Sequence, residues 1–214
     1  MSTKDRILDT AERLFARHGV EATSLRAITT EAQVNLAAVN YHFQSKEALF
    51  HAVIERRVAP MNRRRLELLD ACEAASGSGT LPLEQVLDAF LRPVFETLGN
   101  ACEFIPMMGR VFLESEDLSE KVFRQHTAPV AERFVPALQR ALPDLPKVEL
   151  LWRLHFTLGA VVHTMSAARA LRMLSKGLCD PRDVEGTLRR MEAFLVGGLR
   201  APVEQTAEVH HAAH

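Results

Sequence analysis

The sequence is poor in the residues that build sheets and staples. Tyrosine and tryptophan occur once each, and aromatics make up 6% of the 214 residues. No stretch alternates β-branched with polar side chains, so strands are not expected. Cys72, Cys102 and Cys179 are odd in number, far apart and form no Cys-x-x-Cys pair, which argues against a disulfide framework or a structural zinc. No apolar run approaches the ~20 residues that cross a bilayer. Residues 1–6 enter an amphipathic pattern with no apolar leader, so no signal peptide, no membrane and a cytoplasmic location are expected. A large excess of one charge is also missing, with 26 Lys and Arg against 27 Asp and Glu. A nucleic-acid partner is neither supported nor excluded by that balance.

What is present is helical periodicity, nearly everywhere. Ser2-x-x-Asp5 makes a capping-box start. Ile7, Leu8, Ala11, Leu14 and Phe15 then follow 3-4 spacing to His18-Gly19, where glycine suits a left-handed cap. A short helix capped by Thr23 or Ser24 runs to Ala32, and Gln33-Val34-Asn35 turns the chain. Asn35 caps a third helix from Leu36 to Tyr41 or His42, and Ser45 caps a long one. Further helices are expected at about 60–75, 82–98, 103–115, 118–141, 147–175 and 182–199. Pro93, Pro106, Pro129 and Pro136 fall inside these spans and should kink or split them. The fold class is all-α: a three-helix head over 1–50, a larger helical body over 51–200 and a tail over 201–214.

Residues 24–43 have helix-turn-helix layout. Leu25, Ile28 and Ala32 point inward, Val34 plugs the turn, and Val39 and Phe43 anchor the second helix. That leaves the outer face of residues 35–42 free to enter a major groove, whose width matches one helix. Asn40 can pair bidentately with adenine, and Leu36 and Ala37 can touch a thymine methyl. Tyr41 and His42 can donate to phosphate, and Lys46 adds charge beside backbone N–H groups that favour an anion. Residues 1–65 hold eleven Lys and Arg against seven Asp and Glu, or +4, and the rest fifteen against twenty, or −5. Arg63, Arg64 and Arg65 supply three of those positive charges. A helix would carry them about 25 Å past Lys46, so they read as solvated or inter-domain.

Thr23-Ser24-Leu25-Arg26-x-Ile28, then Ala32-x-Val34, then Tyr41-His42-Phe43-x-Ser45-Lys46-Glu47-Ala48-Leu49 resembles the DNA-binding domain of TetR-family transcriptional regulators. The resemblance covers about residues 4–57. It implies a homodimeric, ligand-responsive regulator, most often a repressor, on double-stranded DNA carrying a near-palindromic operator. Base reading would fall to Arg26, Leu36, Ala37 and Asn40, and phosphate binding to Tyr41, His42 and Lys46, with Asn35 at the leading end. Two positions depart from the family pattern. Gln33 stands where a turn glycine is usual, and Asn40 where a tyrosine is usual. Residues 34–43, 136–143 and 152–156 further resemble the PsrA-like, fatty-acid-responsive subgroup, which implies a long-chain fatty acid or acyl-CoA as effector.

In the body, Phe104, Met108, Phe112, Trp152 and Phe156 sit at helical spacings that suit either a plain core or an apolar pocket. Arg110 is the one charge in Met107–Phe112 and is either a carboxylate anchor or a surface arginine. His155 and His163 share a stripe with Gly159 that faces a pocket or a partner subunit; a metal pair at that spacing is not expected. The helices near 147–175 and 182–199 carry small residues and are expected to form a homodimer's four-helix bundle. No Gly-x-Ser-x-Gly, Walker or His-Glu-x-x-His motif is present, so neither enzyme activity, cofactor nor metal is expected. Two alternatives stand beside this reading: an effector that is an aromatic or cationic xenobiotic, and a small-molecule-binding protein or enzyme that retains the head.

Overall fold

The computed structural model describes residues 1–98, 104, 107–109, 111 and 116–203. All regular structure among the described residues is helical, with no strand. Helix α1 spans Thr3–His18, α2 Leu25–Ala32, α3 Leu36–Phe43 and α4 Lys46–Ser76. Helix α5 spans Leu83–Leu98, α6 Glu116–Val122, α7 Ala128–Ala141, α8 Lys147–Ser166, α9 Ala168–Leu174 and α10 Val184–Leu199.

Local signals set the ends of these helices. Ser2 and Asp5 form the expected capping box, and Gly19, at φ 83°, closes α1. Ser24, Asn35 and Ser45 each accept a backbone N–H three residues on, at 2.8–3.1 Å, and so start α2, α3 and α4. Such caps contribute about 1 kcal/mol each.

The prolines are accommodated in different ways. Helix α4 runs unbroken through Pro60, so no helix end falls there. The missing N–H at Pro60 costs about 3 kcal/mol, and burial on both sides of it offsets that cost. Leu49, Phe50, Val53 and Ile54 are buried before it, and Met61, Leu69 and Cys72 after it. Pro93 and Pro136 likewise lie inside continuous helices. Pro129 is accommodated by a π-helical turn, Phe123–Thr127, that joins α6 to α7. There the Ala128 N–H reaches back to the Phe123 carbonyl, five residues earlier. The wider ring relieves the clash a proline makes in α geometry. The helix expected over 147–175 is interrupted at Ala167, whose φ and ψ of −103° and 19° end α8. Pro106, most of the 103–115 span and the tail from residue 204 lie outside the described residues.

One apolar core runs from the head into the body. Ile7, Ala11, Phe15, Ile28, Val39, Phe43, Leu49 and Phe50 form its head end, where Phe15 and Phe50 meet edge to face at 5.7 Å. Leu69, Leu83, Leu87, Leu91, Phe104, Met107, Phe134 and Leu150 continue it through the body. Arg153 ties α8 to the end of α10, donating through Nη1 to the carbonyls of Gly198, Leu199 and Ala201.

Candidate nucleic-acid interface

Helix α3 shows one face to the core and the other to solvent. Val39 and Phe43 are buried, while Asn35, Leu36, Ala37, Asn40, Tyr41 and His42 are exposed, Tyr41 by 83%. Arg26 is exposed on α2. The inward positions read from sequence hold their places: Ile28 and Ala32 are buried, and Leu25 and Val34 pack partly buried against them. The Oδ1 of Asn35 is occupied by the Ala38 N–H at 2.8 Å, which leaves its amide NH₂ as the group available outward.

The turn before α3 is clamped from α1. Arg6 Nη2 donates to the carbonyls of Ala32 and Gln33 at 2.5 and 3.0 Å. Gln33 itself adopts left-handed φ 53°, ψ 48°, and its N–H closes α2. The geometry that glycine would adopt without strain is therefore kept by a glutamine, at a cost of about 1 kcal/mol. Arg13 pairs with Glu31 beside it.

Lys46, expected from the sequence to contact phosphate, also makes bonds within the head. Its Nζ donates to the carbonyls of Val20 and Glu21 at 2.9 and 3.0 Å. The side chain therefore ties the start of α4 to the α1–α2 turn, and one of its three N–H donors is left for another partner.

Two networks fasten α4 to its neighbours. Toward the head, buried Glu12 receives Arg56 at 2.7 Å and Arg57 at 2.8 Å, and Arg56 also reaches Asp9 at 2.6 Å. Toward the body, Lys121 pairs with Glu47 at 2.7 Å, His126 Nδ1 with Glu55 at 3.0 Å, and Asn62 Nδ2 donates to the His126 carbonyl at 2.8 Å. His51 Nδ1 lies 3.4 Å from His126 Nε2. Because His126 Nδ1 faces a carboxylate it carries a proton, its Nε2 accepts, and His51 Nδ1 must donate. His51 Nε2 is then a bare, buried nitrogen without a partner among the described residues. Burial lowers the pKa of both histidines, and the contact with His126 lowers that of His51 further.

The residues expected to bind ligand do not gather in one place. Phe104 is buried in the body core and Met108 packs half-buried against it; Arg110 and Phe112 lie outside the described residues. Trp152, His155, Phe156 and His163 are all exposed on α8, and Trp152 and Phe156 stack at 6.0 Å with exposures of 56% and 63%. Helix α8 carries two apolar stripes, and a single chain buries the one made by Leu150, Thr157 and Val161. The Arg63–Arg65 run also splits, because Arg63 and Arg64 are exposed and Arg65 is buried. The signal for that was available: Met61, Arg65, Leu69 and Cys72 share the 4-4-3 spacing of one helical face. Glu12, between Leu8 and Phe15 on the α1 stripe, carried the same signal.

This geometry coincides with a known family. Residues 7–53 match the domain described as bacterial regulatory proteins, tetR family, and residues 88–198 match the tetracyclin repressor-like C-terminal domain. The chain belongs to the tetR family. It is a DNA-binding transcriptional regulator by that membership. It is 29% identical to the nicotine-responsive transcriptional repressor HdnoR of Paenarthrobacter nicotinovorans over 145 residues, 65% of this chain and 73% of that one. It is 31% identical to the regulator AcrR of Shigella flexneri over 138 residues, 57% of this chain and 63% of that one. Against the regulator YerO of Bacillus subtilis the match spans 40% of the relative's length. Among solved structures, a TetR-like regulator from Rhodococcus sp. RHA1 superposes with a TM-score of 0.62 at 18% identity, covering 94% of this chain and 97% of that one. The fatty acid degradation regulator FadR of Bacillus halodurans does so at 0.56 and 15%, covering 92% and 99%. At these identities the superpositions establish the shared fold alone. Among the described residues no helix is long and apolar enough to cross a membrane.

Proposed function

We propose that this tetR-family chain is a cytoplasmic, homodimeric repressor that releases a near-palindromic operator when a small molecule enters its helical body. The observation that carries the reading is α3, whose exposed face sets Leu36, Ala37, Asn40, Tyr41 and His42 on a helix held rigidly by Val39 and Phe43. Asn40 and the two apolar side chains supply the base contacts, Tyr41 and His42 the phosphate contacts, and Arg26 supports them from α2. Two such heads on one dimer would read half-sites a helical turn or a multiple apart.

Dimerisation through α8 and α10 is supported by their unpartnered apolar faces. Leu151, Trp152, Phe156, Leu158 and Val162 on α8 and Phe194 on α10 are exposed in the single chain. Pairing two copies would bury them in a four-helix bundle. The two networks on α4 support its role as the lever, because a shift of α6–α7 reaches α1 through one helix.

For the effector, the resemblance of residues 34–43, 136–143 and 152–156 to the PsrA-like subgroup favours a long-chain fatty acid or acyl-CoA. A second reading, an aromatic or cationic compound, is favoured by the similarity to a nicotine-responsive repressor. Anisotropy on DNA from upstream of the protein's own gene, with and without each compound, tests both levels. Tight binding that outcompetes random DNA and collapses with lipid supports repressor and effector together. Specific binding indifferent to lipid but lost with a cyclic cation supports the second effector. Binding that random DNA matches and salt erases removes the proposed operator.

A further inference from the structure

Among the described residues Glu12, Arg65 and His126 are the charged or imidazole side chains with less than a tenth of their surface exposed, and two of the three meet an opposite charge. Glu12 is covered by Arg56 and Arg57, and His126 faces Glu55. Arg65, on the inner side of α4, is 9% exposed and meets no carboxylate. Its Nε donates to the Phe90 carbonyl at 2.9 Å and its Nη1 to Asn62 Oδ1 at 3.1 Å. The guanidinium carbon stands 4.1 Å from the centroid of the Phe90 ring, which meets Phe134 edge to face at 5.3 Å. Nη2, with two N–H donors, has no acceptor among the described residues. Burial lowers the pKa only to about 10, so the group is a cation at neutral pH.

A carbonyl, an amide oxygen and a ring offset part of the desolvation of a guanidinium, but they do not neutralise it. Asp70 and Glu73, on α4 itself, hold Arg133, and Asp88 on α5 holds Arg92. An arginine that only braced α4 against α5 would gain from one of these anions and has none.

We propose that Arg65 is the anchor for the acid group of a monocarboxylate effector, whose apolar part packs against Phe90 and Phe134 between α4, α5 and α7. The inference rests on the reading of the body as an effector-binding domain. The free N–H groups of a guanidinium match a carboxylate's two oxygens. One buried positive charge matches a single negative one, whereas a dianionic phosphate would bury a surplus charge. An ester or thioester carbonyl sets no anion beside the guanidinium, and a cation would be repelled. Arg65 thus selects the free acid over an acyl thioester and over a cyclic cation.

The test is thermal unfolding of the full-length protein with straight-chain monocarboxylates from butyrate to hexadecanoate and with their methyl esters. At least one acid should raise the wild-type Tm by about 5 °C at saturating concentration while its ester does not. Arg65→Met, freed of an unneutralised charge, should melt no lower than wild type without acid and bind that acid at least roughly tenfold more weakly. Arg65→Lys keeps the charge without the fork and should fall between them; it carries the comparison if Arg65→Met fails to fold. The proposal is overturned if no acid shifts the wild type, if esters act as well as acids, or if both variants respond like wild type. Operator binding of the same proteins separates the two levels. An Arg65→Met protein that binds operator but ignores the acid supports both, and a wild type that binds acid through Arg65 but no operator overturns the repressor reading alone.

Discussion

Glu12 of α1 lies buried beneath Arg57 of α4, its Oε1 2.8 Å from that guanidinium, while its Oε2 takes Arg56 at 2.7 Å. One carboxylate thus fastens the reading head to the long helix that reaches the body. Glu12→Gln keeps the shape and removes the charge that both arginines face. It should cost about 3 kcal/mol, read as a lower urea midpoint. An unchanged midpoint would mean that packing of Phe15 on Phe50, rather than the charge cluster, holds α1 to α4.

Gln33 supplies a second stability test. Its left-handed backbone is strained for any residue with a Cβ, and its side chain is exposed. Gln33→Gly should stabilise the protein by about 1 kcal/mol, with operator preference unchanged because the Arg6 clamp grips carbonyls that glycine also has. A glycine variant no more stable than wild type would show that the strain is relieved elsewhere.

Asn40 and Tyr41 are adjacent and exposed, yet different losses are expected of them. Asn40→Ala should lower affinity for the operator by about 1–3 kcal/mol and relax preference at one base pair. Tyr41→Phe should weaken all duplexes alike, and its salt slope should stay put because a neutral hydroxyl releases no counterion. Competition against single-base operator variants distinguishes them, and a uniform loss from Asn40→Ala would remove it from the reading face.

The histidine pair gives the junction of α4 with the π-helical turn a pH dependence. His51 and His126 both titrate below the ordinary 6.5 in the folded protein, so the unfolded chain binds more protons. Stability is then full above about pH 6.5 and falls as pH drops through the unfolded value. Glu192 works in the opposite direction: burial and the nearby Asp88 push it up to about 7, so its contribution worsens as pH rises from 4.5 to that value. The difference between wild type and His51→Gln isolates the first effect. That difference should shrink as pH falls from about 7.5 to 5.5; a constant gap would remove His51 from the response.

Much of the head was legible in the chain because its determinants are local. Ser2, Ser24, Asn35 and Ser45 each bond within three residues, and the inward set Ile28, Ala32, Val39 and Phe43 follows helical period alone. Periodicity also fixed the all-helical class. What remained for the tertiary structure was decided by partners distant in sequence. Lys46 reaches carbonyls of Val20 and Glu21, more than twenty residues away. Pro60 stays within α4 because packing on both sides outweighs a lost hydrogen bond, and Trp152 and Phe156 face solvent because one chain buries only one of the two stripes of α8. Arg65 looked like part of a solvated basic run, yet its place on the stripe of Met61, Leu69 and Cys72 carried it into the core. Sequence by itself set the local backbone and the face of each short helix. Only folding decided which charges met, since an ion pair depends on distances that no linear spacing contains.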